Sequence, residues 1–437
     1  VSLRRANRDH EDFVQQHLRR NVLALGGDFA LYMVGLAFAS QATILPAFAA
    51  SLGAPNVVIG AIPAVTTLGW LLPSLFVAGH TETLGRKLPF VLRYTVWERA
   101  PYLALALTAF LVAARAPTLA LGLMLVVLLA MTGVSGALLP AWVDIVGHAI
   151  PVMVRGRFFA IWSIIASLGG LAASFATASI LAAVPAPASY GVCFLAASLC
   201  MALSYAVLML TREPPTVAPP AESVPLRAYL ARIPPLLRRD RNMAWFLAAR
   251  GFTVIGVMGS GFFTVYALRV LGAPAWQPGV FTTMLLVGQV AGNLVFGWLA
   301  DRLGHRLVLA AGTASMAGAS LVALAAPSVD LLLLTFFLDG VYDAAVAVSG
   351  LNILLELAPA AGERPTYVGL GRTAVAPVAF GAPLLAGLLA DAAGFASVFA
   401  VATGFSVFGL ALLLSCVRDP RHEASAPARS DSGSQST

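Results

Sequence analysis

The sequence predicts an all-α integral membrane protein of twelve transmembrane helices, laid out as two parallel repeats of six. Three observations predict it: an apolar composition, a dozen apolar runs of membrane-spanning length, and an internal repeat offset by 219 residues. Of the 437 residues, 59% are hydrophobic and 11% charged, whereas soluble domains carry roughly 25% charged residues. Mean hydropathy is +0.85. This composition excludes a soluble enzyme.

Residues 1–21 are polar and charged. They read as a cytoplasmic N-terminal segment rather than a removable signal peptide, which needs a short apolar core and a small-residue cleavage site. Crossing a bilayer as a helix takes about 20 apolar residues. Six such runs fill 22–210, near 22–49, 56–79, 89–114, 118–147, 157–183 and 187–210. Residues 211–242, rich in proline and arginine, read as a cytoplasmic linker. Six more runs fill 243–416, near 243–271, 276–300, 306–326, 330–357, 366–390 and 394–416. The tail, 417–437, ends SDSGSQST and has no apolar periodicity, so it reads as disordered.

Charge sets the orientation, because basic residues accumulate in cytoplasmic loops. With an even number of spans, 21 of the 27 basic residues fall on the side of the two termini and the linker, and only Arg115 and Arg269 on the other. Both termini are therefore expected in the cytoplasm. The net charge of +7 is spread over many short loops, which is positive-inside topology and not a nucleic-acid surface. Cys193, Cys200 and Cys416 lie in apolar runs without metal-ligand spacing and read as packing residues. No cofactor is expected.

Shifting the chain by 219 residues superimposes LGAP at 52–55 on LGAP at 271–274, Gly60 on Gly279, Gly69 on Gly288, and Arg19–Arg20 on Arg238–Arg239. In the same register Glu82 meets Asp301, Gly85 meets Gly304 and Lys87 meets Arg306. Six spans is an even number, so both halves enter the membrane in the same sense, related by an axis along its normal. The stretch GWLADRLGHR from Gly297 to Arg306 resembles the loop signature of the major facilitator superfamily, and the six-plus-six layout extends the resemblance over the chain. The first-half copy departs from the pattern, with Ala78, Glu82 and Thr83 in place of glycine, aspartate and arginine. The resemblance implies a cytoplasmic gate built from Glu82, Gly85, Arg86 and Lys87 in one half, and Gly297, Asp301, Arg302, Gly304 and Arg306 in the other. Asp144 is implied as its acidic support. On physical grounds the glycines permit a tight reversal, and an acid at a helix end can face the positive N-terminus of a helix in the other half. The plainer alternative is that these are turn and positive-inside residues.

Ionisable groups within a span cost from a few to more than ten kcal/mol unless paired or hydrated, so each needs a reason. Asp339 and Asp343 are four residues apart on one face of the tenth span, on either side of the membrane midplane. Two adjacent carboxyls in low dielectric resist simultaneous ionisation, which suits a proton carrier or the counter-charge of a cationic substrate. The alternative is ion pairing with Arg250 or Arg372. Asp28 and Tyr32 form a second i, i+4 pair, read either as substrate contacts or as a solvated helix-start acid. Arg250 lies on the seventh span, which the resemblance places beside the substrate path, although it can also snorkel to the surface. Gln289 and Asn293 read as interhelical hydrogen-bond glue or as ligands. Glu98 and Arg99, on a third span that the resemblance makes peripheral, read as packing or local pairing.

Lys87 is the one lysine and follows an arginine, so no GxxxxGK[ST] phosphate loop exists. No TVGYG-like filter, HExxH or nucleophile elbow is present either. The expectation is a monomeric secondary transporter of the bacterial inner membrane working by alternating access, which exports small lipophilic or cationic compounds against protons. Proton-coupled uptake of a small solute, a lipid or lysolipid flippase, and a non-transporting sensor are the alternatives. The Gly-Pro-centred motif usual in the fifth helix of drug/proton antiporters of the superfamily is absent, since that span reads SIIASLGGLAASFATASIL.

Overall fold

The computed structural model describes residues 2–82, 84–214, 233–360 and 363–419. Among them it is helical with no strand. Nine helices are long and apolar enough to cross a membrane. One of these, Thr366–Ser415, is broken at Gly394 (φ 79°) and supplies the eleventh and twelfth spans. The second span, Asn56–Glu82, and a third span built of short helices from Leu88 to Val112 complete twelve passages.

Two boundaries differ from the sequence expectation. The first helix begins at Ser2, continuing through the polar segment as one rod to Phe38. Within the linker, Ile233–Arg239 is also helical, before the seventh span starts at Arg241. Its helix is capped by Asp240, which accepts from the Met243 amide at 2.9 Å. Residues 215–232 and the tail from 420 lie outside the described residues.

The sequence repeat is also a repeat of packing. Gly53 and Gly272 hold matching left-handed turns, with φ of 73° and 68°, a conformation that costs glycine little. Gly69 and Gly288 each let a span close on a neighbour two spans on: ideal Cβ atoms there would stand 2.0 Å from Thr132 Oγ1 and 2.1 Å from the Phe337 carbonyl oxygen. Gly60 and Gly279 do the same across the halves, against the Pro383 carbonyl oxygen at 2.1 Å and the Ala178 amide nitrogen at 2.5 Å. Small residues at such crossings let backbones approach where no hydrophobic drive exists between helices in lipid.

Several spans are interrupted along their length. The first stops at Phe38 and resumes at Ile44. The third breaks at Thr95 and Ala100, on either side of Glu98 and Arg99. The seventh tightens to a 3₁₀ turn at Val257–Gly259. Non-helical backbone at membrane depth is tolerated only within protein or beside a cavity, and the first break lines one.

Candidate functional site

Between the halves lies a central cavity of about 540 Å³. The first half contributes the first, second, third, fourth and fifth spans to its wall, and the second half contributes the eighth and tenth. Gln289 and Asn293 from the eighth span face it together with Asp343 from the tenth. Asp343 is exposed to this space, and its Oδ2 accepts from Gln289 Nε2 at 3.1 Å. No basic side chain among the described residues lies within ion-pairing distance of it.

Asp339, one turn away, is buried and turned from the cavity, and no described side chain bonds its carboxyl. Arg250 does not line the cavity; it stands beside Tyr342 on the tenth span, between the two acids in sequence. The ion pair expected as the structural alternative is therefore not formed with Arg250, and the Arg372 side chain lies outside the described residues. The seventh span has no place in the wall because its inner end packs on the twelfth, where a Cβ at Gly256 would meet Ser406 Oγ at 2.0 Å. Half of the lining side chains carry a hydroxyl, amide or carboxyl.

Facing Asp343 across the cavity are the hydroxyls of Tyr32 and Ser135, and behind them lies a charged cluster that sequence reasoning undervalued. Tyr32 and Ser135 donate to Glu98 Oε1 at 2.8 and 2.7 Å. Thr95 donates to Oε2 at 2.8 Å, and Arg99 Nη1 approaches the same oxygen at 3.3 Å. The other terminal nitrogen of Arg99, Nη2, reaches Asp28 Oδ1 at 2.7 Å. Asp28 also accepts from Ser204 at 2.6 Å and from the Trp142 indole at 3.0 Å. Asp28, Glu98 and Arg99 are all buried, with 2%, 9% and 7% of their surface exposed. Asp28 is thus no solvated helix-start acid, and the third span is not peripheral: its breaks bring Glu98 and Arg99 inward. The signal was present, as two adjacent ionisable groups deep in an apolar run.

The two acidic sites differ in saturation. Glu98 and Asp28 each receive donors on both oxygens. Asp343 has one amide donor and open space.

At the linker end, the residues of the two loop copies take several partners. Gly304 holds a φ of 88° and ends the eighth span, whereas Gly85 adopts no left-handed turn, so the first copy lacks the reversal of the second. Arg302 lies 4.5 Å over the Trp298 ring. Arg306 donates to the Leu413 and Leu414 carbonyls at 3.1 and 2.5 Å, tying the ninth span to the end of the twelfth. Lys87 forms an ion pair with Asp144, and Glu213 caps the third span through the Lys87 and Leu88 amides at 2.7 and 2.9 Å. The side chain of Glu82 lies outside the described residues, Arg86 is exposed, and Gly297 has open space beside it. Replacing Asp301 by Asn is expected to lower turnover per folded molecule several-fold with little change in membrane abundance. Transport normalised to surface protein checks this, and unchanged turnover would reduce the loop to a turn.

The opposite end is closed by contacts between the halves. Thr43 and Thr282 share a hydrogen bond at 2.6 Å, and Ser174 and Thr283 share one at 2.8 Å. Further out, Asp391, at the end of the eleventh span, accepts from the Asn56 and Val57 amides at 3.1 and 3.2 Å, so a carboxylate of one half caps the second span of the other. Arg269 reaches back from the seventh span to Asn56 Oδ1 at 2.9 Å and the Ala54 carbonyl at 2.6 Å. The repeat does not duplicate this clasp, because Ala172 and Ala50 stand at the positions equivalent to Asp391 and Arg269. Asp391→Ala is expected to favour opening at this end by about three- to tenfold, the range for charge at an exposed helix terminus with its hydrogen bonds. Labelling of a cysteine placed at Thr264 by an impermeant reagent measures it, and an unaltered labelling rate would discount the clasp.

The chain is similar to known transporters in both sequence and fold. Residues 266–436 match the family model described as Major Facilitator Superfamily. No curated protein matches the chain significantly in sequence. Among solved structures, the nucleoside transporter NupG is 14% identical with a TM-score of 0.62, over 90% of this chain and 98% of that one. A POT family transporter in complex with 5-aminolevulinic acid is also 14% identical, with a TM-score of 0.67 over 89% and 94%. A D-xylose-proton symporter is 13% identical, with a TM-score of 0.66 over 92% and 98%. These likenesses show the fold. With the family model matching residues 266–436 and that fold over about nine-tenths of its length, the chain is a multi-pass membrane protein similar in its second half to the major facilitator superfamily and built on the fold of those transporters.

Proposed function

We propose that this transporter couples proton movement to the export of small lipophilic or cationic compounds by alternating access. The observation that carries the reading is Asp343, a carboxyl on the cavity wall with one amide partner and no described cation beside it. Such a group can exchange a proton for a positively charged substrate when the two bind at different times. The positive-inside pattern puts the linker end, and with it both termini, in the cytoplasm of a bacterial inner membrane. On that reading the clasped far end supports an inward-facing state, and the proposed unit is a monomer divided into halves 22–210 and 243–416. Uptake of a small polar solute is the second reading. It is favoured by the hydroxyls and amides on the wall and by one neighbour's description as a xylose–proton symporter.

The test is accumulation of a fluorescent lipophilic cation in cells that express the protein, with and without a protonophore. The expected result is several-fold lower accumulation than in control cells, abolished by the protonophore. Equal accumulation in both strains would remove export of this class and leave uptake as the reading.

A further inference from the structure

A second cavity opens beside the central one, in the first half alone. The two share Phe29, Tyr32, Met33, Trp70 and Ser135 in their walls and so form compartments of one space. The side compartment holds about 130 Å³, room for about four waters at ~30 Å³ each. That is the size of a head group and not of a whole solute, whose remainder has the central cavity to occupy.

We propose that this compartment is the subsite for the quaternary ammonium head of an organic cation. The inference rests on the central cavity being the substrate path. The rings of Trp70, Trp142 and Phe29 line its walls, while the Tyr32 ring is already covered by the Arg99 guanidinium at 5.4 Å. The Phe29 and Trp142 rings lie 6.2 Å apart at a tilt of 30°, and the Trp142 indole is pinned by its bond to Asp28. The box therefore needs little ordering when a ligand enters. Aromatic faces attract cations through the ring quadrupole, and more so when water is excluded.

The floor makes the choice of head group. By formal charge, two carboxyls, Asp28 and Glu98, stand against one guanidinium, Arg99, an excess of acid that attracts a cation and repels an anion. Yet this floor has little hydrogen-bonding capacity left to offer. Glu98 already receives Tyr32 and Ser135 on one oxygen and Thr95 and Arg99 on the other, and a carboxylate has about four lone-pair sites. A sugar, a guanidinium or a primary ammonium brings N–H or O–H donors that would be buried unsatisfied here. A quaternary ammonium brings none and still gains from the field and the rings.

The experiment is equilibrium binding of radiolabelled benzyltrimethylammonium to the purified full chain in lipid nanodiscs, without any gradient. Neopentylbenzene, which has the same shape with carbon in place of the charged nitrogen, serves as competitor. Saturable binding is expected, with the neutral isostere competing at least about tenfold less well than unlabelled cation. Trp70→Ala is expected to weaken binding about fivefold or more, within the range for a lost cation–π contact. Phe29→Leu, expected to weaken binding about twofold, is the second variant should Trp70→Ala not elute monodisperse. Absence of saturable binding, or equal competition by neopentylbenzene, would overturn the assignment. Failure of protonophore-sensitive export in cells would instead overturn the functional reading while leaving this gradient-free result to stand.

Discussion

Asn at position 343 is expected to uncouple the transporter. In proteoliposomes with an imposed proton gradient, Asp343→Asn should lower net substrate movement by about 100-fold, the low end for removal of a group that gives and takes a proton. Exchange of labelled for unlabelled substrate at equal pH should persist. The reasoning starts from the hydrogen bond to Gln289: an asparagine carbonyl accepts it as the carboxylate does at 3.1 Å, so the wall keeps its shape and loses only its titration. Stability should change little for the same reason, since Asp343 is exposed to the cavity and holds no ion partner among the described residues. Wild-type flux should vary with pH, and the variant's profile should be flat. If net flux and exchange fall together, Asp343 orders the site and does not carry the proton; if neither falls, Asp339 or another group does.

That carboxyl was legible in the sequence because charge is rare inside an apolar run and its cost demands a partner or water. The fold was legible for a related reason: apolar runs, loop charge and the 219-residue repeat report the same topology independently. The repeat even anticipated which glycines do equivalent packing, since Gly60 with Gly279 and Gly69 with Gly288 make matching approaches. The cluster around Glu98 was harder to see. Its acids and arginine were visible, but their partners Ser135, Trp142 and Ser204 are ordinary residues far away in the chain, brought in by two other helices. Ranking the third span by its usual place in such bundles set aside the one physical cue that mattered, two adjacent ionisable side chains at membrane depth. The clasp at Asp391 left no cue, because an aspartate beside a short loop reads as a solvated turn residue. Only the folded chain shows that the two amides it caps belong to the other half.

The cluster itself should be the most fragile point of the first half. Replacing Arg99 by Ala would leave Asp28 and Glu98 buried without their shared cation, and breaking a buried pair from one side costs about 3–5 kcal/mol. The network also contains three donors to Glu98 and two further donors to Asp28 that do not depend on Arg99, which keeps the expected loss near the lower figure. Two carboxylates facing one cavity would then either repel each other or take up protons, so destabilisation should ease as the pH is lowered. Thermal unfolding of the purified chain in detergent measures both effects. Arg99→Ala should melt well below the wild type at neutral pH and recover part of the difference in acid. Adding Asp28→Asn should restore more of it, because the remaining charge is Glu98 with its hydroxyl donors. An Arg99→Ala protein that melts with the wild type across this range would mean that the cluster is hydrated enough to do without its arginine. A floor that wet would also weaken the field on which cation selection in the side compartment depends.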